Sequence, residues 1–250
     1  MLDKKVALIT GAAQGIGYGV SAAFAEQGAD VVLTDYQPSV VEVAQKLNAQ
    51  SAGTIIGIVM DVTKDESIDA ALKQVMSQFG RLDFVINNAG GGVLKPFAEL
   101  TNDDFDKTVG LDLVGTFKCM RAELQLFLKQ GFGSIVNTGA LGSFYAPGGF
   151  GAYNAAKNGI MGMTQAAAVD YADQNIRVNC VAPGLTKTPL NDGAFIETMT
   201  PTVPMKRYET VEELAKVFVF VASEATFMTG QTVVIDGGVS AGMKAEAPHD

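Results

Sequence analysis

Short apolar runs alternate with longer amphipathic stretches along the whole chain. Val6–Thr10 is an apolar run of strand length. It breaks into the turn Gly11-Ala12-Ala13-Gln14-Gly15-Ile16-Gly17, and an amphipathic stretch then runs to Gln27. The same pattern predicts further strands over 31–34, 54–60, 83–86, 134–138, 177–181 and 231–235. Helical spacing predicts helices over 38–50, Asp65–Phe79, 102–128, 152–172 and 211–222. Strand and helix taking turns in this way argue for an α/β fold, a parallel sheet with helices on both faces. No linker, repeat or change of composition divides the chain, so one domain over 1–250 is expected. Residues 186–208 read as a substrate lid and 241–250 as a polar tail.

Composition acts mainly by exclusion. A chain of 250 residues, 48% hydrophobic and 18% charged, is globular. Its net charge of −9 comes without a basic cluster, which argues against nucleic acid or an anionic membrane as partner. The single histidine, His249, leaves no Ser-His-Asp triad and no histidine metal site. Cys119 and Cys180 sit in apolar runs without metal or redox spacing and read as buried thiols. With no signal peptide and no spanning apolar run, a soluble protein of the cytoplasm is expected.

The first turn carries candidate chemistry. A glycine turn between a strand and a helix lets backbone approach a pyrophosphate and aims helix N–H groups at it. The spacing here is G-x-x-x-G-x-G, and glycines also close ordinary βα loops. The next strand ends in Asp35, eighteen residues after Gly17. An acidic side chain there accepts from ribose hydroxyls and repels a 2′-phosphate, which favours NAD over a plain solvated Asp. The turn Asn87-Asn88-Ala89-Gly90-Gly91-Gly92 has small residues that let a flat ligand lie on backbone. A structural loop is the other reading.

The second candidate is Tyr153 and Lys157. Four residues apart on a helix, they share one face about a turn apart. A fixed cation stabilises a phenolate and lowers its pKa, and such a phenol can exchange a proton with an alcohol or ketone. Spacing alone is common; the rest of the chain gives it weight.

In this order, Thr10-Gly11…Gly15-Ile16-Gly17, Asp61-Val62, Asn87-Asn88-Ala89-Gly90, Tyr153…Lys157, Asn179, Pro183-Gly184 and Asp236-Gly237-Gly238 resemble the classical short-chain dehydrogenase/reductase family over essentially the whole chain. The resemblance implies a doubly wound (Rossmann) sheet of seven strands with NAD across the strand C-termini. It implies Tyr153 as proton donor/acceptor, with Lys157 holding the nicotinamide ribose and lowering the Tyr153 pKa. The implied cofactor-binding set is Gly11, Gln14, Gly15, Ile16, Gly17, Asp35, Tyr36, Asp61, Val62, Asn88, Ala89, Gly90, Tyr153, Lys157, Pro183, Gly184, Thr186 and Thr188. Within it, Asp61 and Val62 line the adenine, and Thr186 and Thr188 touch the carboxamide or phosphates. No metal is implied, and a homotetramer is expected by analogy. A small-residue helix face, Ala155, Ala156, Gly159, Gly162, Ala166 and Ala167, would permit close packing across a symmetric interface.

Two positions depart from the family pattern. Ala140 stands thirteen residues before Tyr153, where the family usually has a serine that donates to the substrate oxygen. Losing one such donor costs roughly 10²–10³ in rate, so slow turnover is expected, whether the change is engineered or natural. Thr138 and Ser143 carry nearby hydroxyls; Thr138 is a poorer substitute on the same strand side. Asp112 replaces the usual Asn, and a carboxylate there would favour protonated Lys157.

Segments expected to border the substrate are apolar: Val93, Leu94, Phe144, Tyr145, Pro147, Phe150, Leu190, Phe195 and Met199. They suggest a neutral ketone or secondary alcohol, several of them serving equally as core. Three functions compete: an NAD-dependent alcohol dehydrogenase or carbonyl reductase, a ketoacyl-thioester reductase, and a cofactor-binding scaffold that has lost its chemistry.

Overall fold

In β1 (Val6–Thr10), side chains alternate between two faces and none reaches solvent: Val6 and Leu8 pack on one side, Ala7 and Ile9 on the other. Such a strand belongs at the centre of a sheet covered twice. The computed structural model describes residues 1–189 and 194–242, with backbone alone for Ala194 and Phe195. β1 is joined by β2 (Asp30–Asp35), β3 (Ile55–Val59), β4 (Phe84–Asn87), β5 (Gly133–Thr138), β6 (Ile176–Pro183) and β7 (Thr232–Ile235). All pairings are parallel, in the order β3-β2-β1-β4-β5-β6-β7. The order reverses between β1 and β4, and that switch point opens a crevice at the strand C-termini.

One face of the sheet is covered by α1 (Gly15–Glu26), α2 (Val40–Asn48) and α8 (Val211–Val219). These helices bury Val20, Phe24, Val40, Ala44, Leu214 and Phe218 against Ile9, Leu33, Ile86, Val136 and Val181. The other face packs Ile68, Leu72 and Val75 of α3 (Asp65–Phe79) on the sheet. Met120, Leu124 and Phe127 of α5 (Gly115–Gln130) and Ala167 and Ala168 of α6 (Gly151–Tyr171) complete that layer. Fully buried side chains of this size contribute about 1.5–3 kcal/mol each.

The helix expected over 102–128 is built in three parts. α4 (Asn102–Val109) starts from a capping box between Thr101 and Asp104 and passes into a π turn, Gly110–Val114, before α5. Such turns aim one extra side chain inward; here Asp112 is fully buried.

Three expectations are corrected or bounded. The small-residue positions of α6 do not form one face: Ala155, Gly162 and Ala166 are exposed, Ala156 and Ala167 face inward, and Gly159 packs on Leu113. Within 186–208, α7 (Ala194–Met199) and a 3₁₀ turn, Thr200–Thr202, are formed, while 190–193 lie outside the described residues, Leu190 among them. Of the tail, only the segment to Gly242 is described. No helix among the described residues is long and apolar enough to cross a membrane.

Candidate active site

The crevice is floored by the turn after β1. Gly11 and Gly15 hold φ of 64° and 59°, which L side chains rarely adopt. At Gly17 the constraint is contact: a Cβ there would stand 2.3 Å from Gly11 O and 2.7 Å from Asn88 Nδ2. Asn88 joins two strand ends, its Nδ2 donating to Thr10 O at 3.0 Å. Its backbone N–H and that of Ala89 donate to Thr10 Oγ1, both at 2.9 Å. Gln14 leads into α1 in extended conformation, and no side chain caps the helix N-terminus, next to which Ile16 is half-buried. Thr188 and Pro189, from the loop after β6, come within 3.6–3.9 Å of a Cβ placed on Gly15, so that loop closes over the glycine turn. Gly184 donates to Ile235 O at 2.6 Å and follows the buried Pro183.

Asp35 ends β2 almost buried. Its Oδ2 accepts from Ala13 N–H at 3.1 Å and its Oδ1 from Gln37 N–H at 3.0 Å. Its neighbour Tyr36 lies mostly in solvent. Asp61 turns its carboxylate onto its own loop, accepting from Thr63 Oγ1 at 2.6 Å and pairing with Lys64; the Thr63 hydroxyl holds it below the usual carboxylate range. Val62 is buried against Gly115.

Across the crevice, the first turns of α6 carry Tyr153 and Lys157. The Lys157 Nζ lies 5.3 Å from the Tyr153 ring centre and donates to Thr138 O at 3.1 Å. Its second neighbour is Asp112, whose Oδ2 is 3.3 Å from Nζ, a charge contact rather than an aligned hydrogen bond. Asp112 Oδ1 accepts from Gly91 N–H at 2.7 Å. Gly90 and Gly92 fit beside these side chains: a Cβ would come 2.9 Å from Asp112 Oδ1 at one and 3.1 Å from Tyr153 Cδ2 at the other.

Lys157 acts on Tyr153 in the expected direction, but the balance of influences does not follow it. Burial pushes the Tyr153 phenol up, Lys157 pulls it down, and Asp112 pushes it up again; the phenol ends above its ordinary value rather than below it. Burial pulls Lys157 down, but Asp112 and the phenol outweigh it and leave the ammonium above its usual range.

Ala140 is extended and buried, its carbonyl accepting from Ser143 N–H at 3.0 Å. The hydroxyls of Thr138 and Ser143 and the Oδ1 of Asn154 are buried and find no hydrogen-bond partner among the described residues. Leu94, Phe144 and Tyr145 are roughly half exposed beside this turn.

Two groups went unseen in the sequence reading. Glu123 of α5 is buried, and its Oε2 accepts from Asn87 Nδ2 at 3.0 Å. Asn87 also donates to Asn137 Oδ1, and Asn137 donates to Thr164 Oγ1 at 2.9 Å, so a polar chain crosses from α5 to α6 beneath the crevice. Its signal was an acid three residues after Met120 and four before Phe127, on the apolar stripe. The second is Glu209, which accepts from the buried Thr186 Oγ1 at 3.0 Å and lines a cavity of about 120 Å³ with Leu185, Met205 and Ile235.

Comparison with known proteins decides the family. Residues 11–240 match the family described as enoyl-(acyl carrier protein) reductase. The chain is a short-chain dehydrogenase/reductase. Over 95% of its length this dehydrogenase/reductase is 35% identical to a 3-oxoacyl-[acyl-carrier-protein] reductase, FabG, of Thermotoga maritima, covering 98% of that protein. It is 36% identical to a D-threitol dehydrogenase of Mycolicibacterium smegmatis, covering 95% of this chain and 93% of the relative. The crystal structure of an NAD⁺-bound xylitol dehydrogenase superposes with a TM-score of 0.89 at 28% identity, over 95% of this chain and 99% of that one. Membership makes the chain an oxidoreductase of a family that uses nicotinamide cofactors.

Proposed function

We propose that this protein interconverts a secondary alcohol and a ketone with NAD(H), Tyr153 exchanging the proton at the substrate oxygen. The observation that carries the reading is the meeting of Tyr153 and Lys157 with the Gly90–Gly92 backbone and the Thr138 carbonyl, across the crevice from the glycine turn. A dinucleotide fits the residues present. Gly11 and Gly15 take positive φ and Gly17 packs directly on Gly11 O, so the turn presents backbone at the crevice, and α1 opens there without a side-chain cap. When bound, that group supplies or accepts the hydride.

The chain's own residues divide the remaining work. Lys157, anchored on Thr138 O, is set to hold a ribose hydroxyl and fix Tyr153. Asp35 supports NAD over NADP: its carboxylate is oriented by two backbone N–H groups, and Ala12, Ala13, Gln14, Tyr36 and Gln37 bring no cation for a 2′-phosphate. Thr188 closes the far side of the glycine turn, and Thr186, two residues earlier, is buried with its hydroxyl on Glu209. Asp61 and Val62 border the adenine end through their backbone, since Asp61's carboxylate is engaged on its own loop. Leu94, Phe144 and Tyr145 at the mouth suit a neutral substrate.

The reading is tested by following NADH and NADPH absorbance with a panel of neutral ketones and 3-ketoacyl thioesters. Turnover of ketones with NADH is expected; NADPH-linked reduction of thioesters alone would favour the FabG-like reading, which the Thermotoga relative supports. No turnover with any compound would favour the scaffold. A homotetramer is proposed on the resemblance, and sedimentation would measure it.

A further inference from the structure

The cation beside Tyr153 is answered within the protein. Asp112 and Lys157 are both shielded from solvent, and their charges stand 3.3 Å apart. The carboxylate is fixed at its other oxygen by Gly91 N–H, and the π turn at Gly110–Val114 delivers it. Water and salt screen so buried a pair weakly. The phenol therefore faces a nearly neutral pair instead of a free ammonium. Among the described residues, no further charge couples to Tyr153. Cys180, on β6 near Lys157, is pushed up to about 11 by burial and stays a neutral thiol. Phe150 and Gly92, which pack against Tyr153, carry none.

We infer that Asp112 is a positioning residue that cancels the Lys157 charge and keeps Tyr153 a proton donor at neutral pH, so that the site reduces carbonyls over a wider pH range than it oxidises alcohols. The inference rests on the proposed role of Tyr153 in exchanging the substrate's proton. In reduction Tyr153 gives its proton to the carbonyl oxygen while the carbon gains a hydride from the reduced nicotinamide dinucleotide; the C=O π bond breaks, and solvent reprotonates the phenolate. Oxidation needs the phenolate first, to take the alcohol proton. A cancelled cation delays that state to higher pH.

The test is Asp112→Asn, which keeps an acceptor for Gly91 N–H and removes the charge. Ultraviolet difference titration, with a matching Tyr153→Phe protein as blank, reads the phenol without cofactor or substrate. The Tyr153 transition is expected to fall by about one pH unit or more, and the alkaline limb of ketone reduction and the acid limb of alcohol oxidation should move down with it. An unmoved transition overturns the inference, whatever the turnover. A moved transition in a protein that turns over no ketone or alcohol upholds the role of Asp112 and overturns the proton-exchange reading instead. Should Asp112→Asn fail to fold, Asp112→Ser gives the same readout.

Discussion

Asn87 Nδ2 stands 3.0 Å from Glu123 Oε2 in the centre of the protein, immediately before the Asn88–Gly90 turn that faces the crevice. Burial raises the Glu123 carboxyl to about 8, against which the hydrogen bond from Asn87 acts only in part. Below the ordinary carboxylate value both folded and unfolded chains keep this proton. Between about 4.5 and 8 only the folded chain does, so stability falls as pH rises through that window and levels off above it. The full change is of order 5 kcal/mol. Urea unfolding at pH 5, 7 and 9 should show the decline, and Glu123→Gln should remove most of it.

On the proposed function, Ala140 stands where the resemblance implies a donor to the substrate oxygen. Ala140→Ser is expected to raise turnover by roughly 10²–10³. Steady-state kinetics on the best ketone substrate checks this. An unchanged rate would mean that another group, such as the hydroxyl of Thr138, which has no hydrogen-bond partner among the described residues, already serves the oxygen.

Gly17 has no room for a side chain, because its Cβ would meet Gly11 O at 2.3 Å and Asn88 Nδ2 at 2.7 Å. Gly17→Ala should cost about 1–3 kcal/mol of stability and weaken NADH binding at least tenfold. Denaturation and fluorescence titration separate the two effects.

Asp35→Ser should lower the preference for NADH over NADPH by shrinking the carboxylate that Ala13 and Gln37 orient. The check is the ratio of kcat/KM for the two cofactors. An unaltered ratio would show that Asp35 does not read the ribose.

Much of this was legible beforehand, for reasons that particular residues make plain. Val6–Thr10 and Asp65–Phe79 emerge with the expected bounds because apolar runs and helical stripes record burial directly. The pairing of Asn88 with Thr10, across 78 positions, lay beyond any local pattern. So did the π turn at Asp112, since one extra residue in a helical turn hardly disturbs a 3.6-residue period. The balance at Tyr153 was misjudged because spacing reveals the neighbouring cation but not the depth of burial or the opposing carboxylate. Glu123 was passed over as one more charge on an amphipathic helix.

The most direct measurement is stopped-flow NADH oxidation by Tyr153→Phe beside the parent protein, on the best ketone. The variant should bind NADH as the parent does and lose roughly 10²–10⁴ in the chemical step. Equal rates in the two proteins would contradict a proton passing through that phenol.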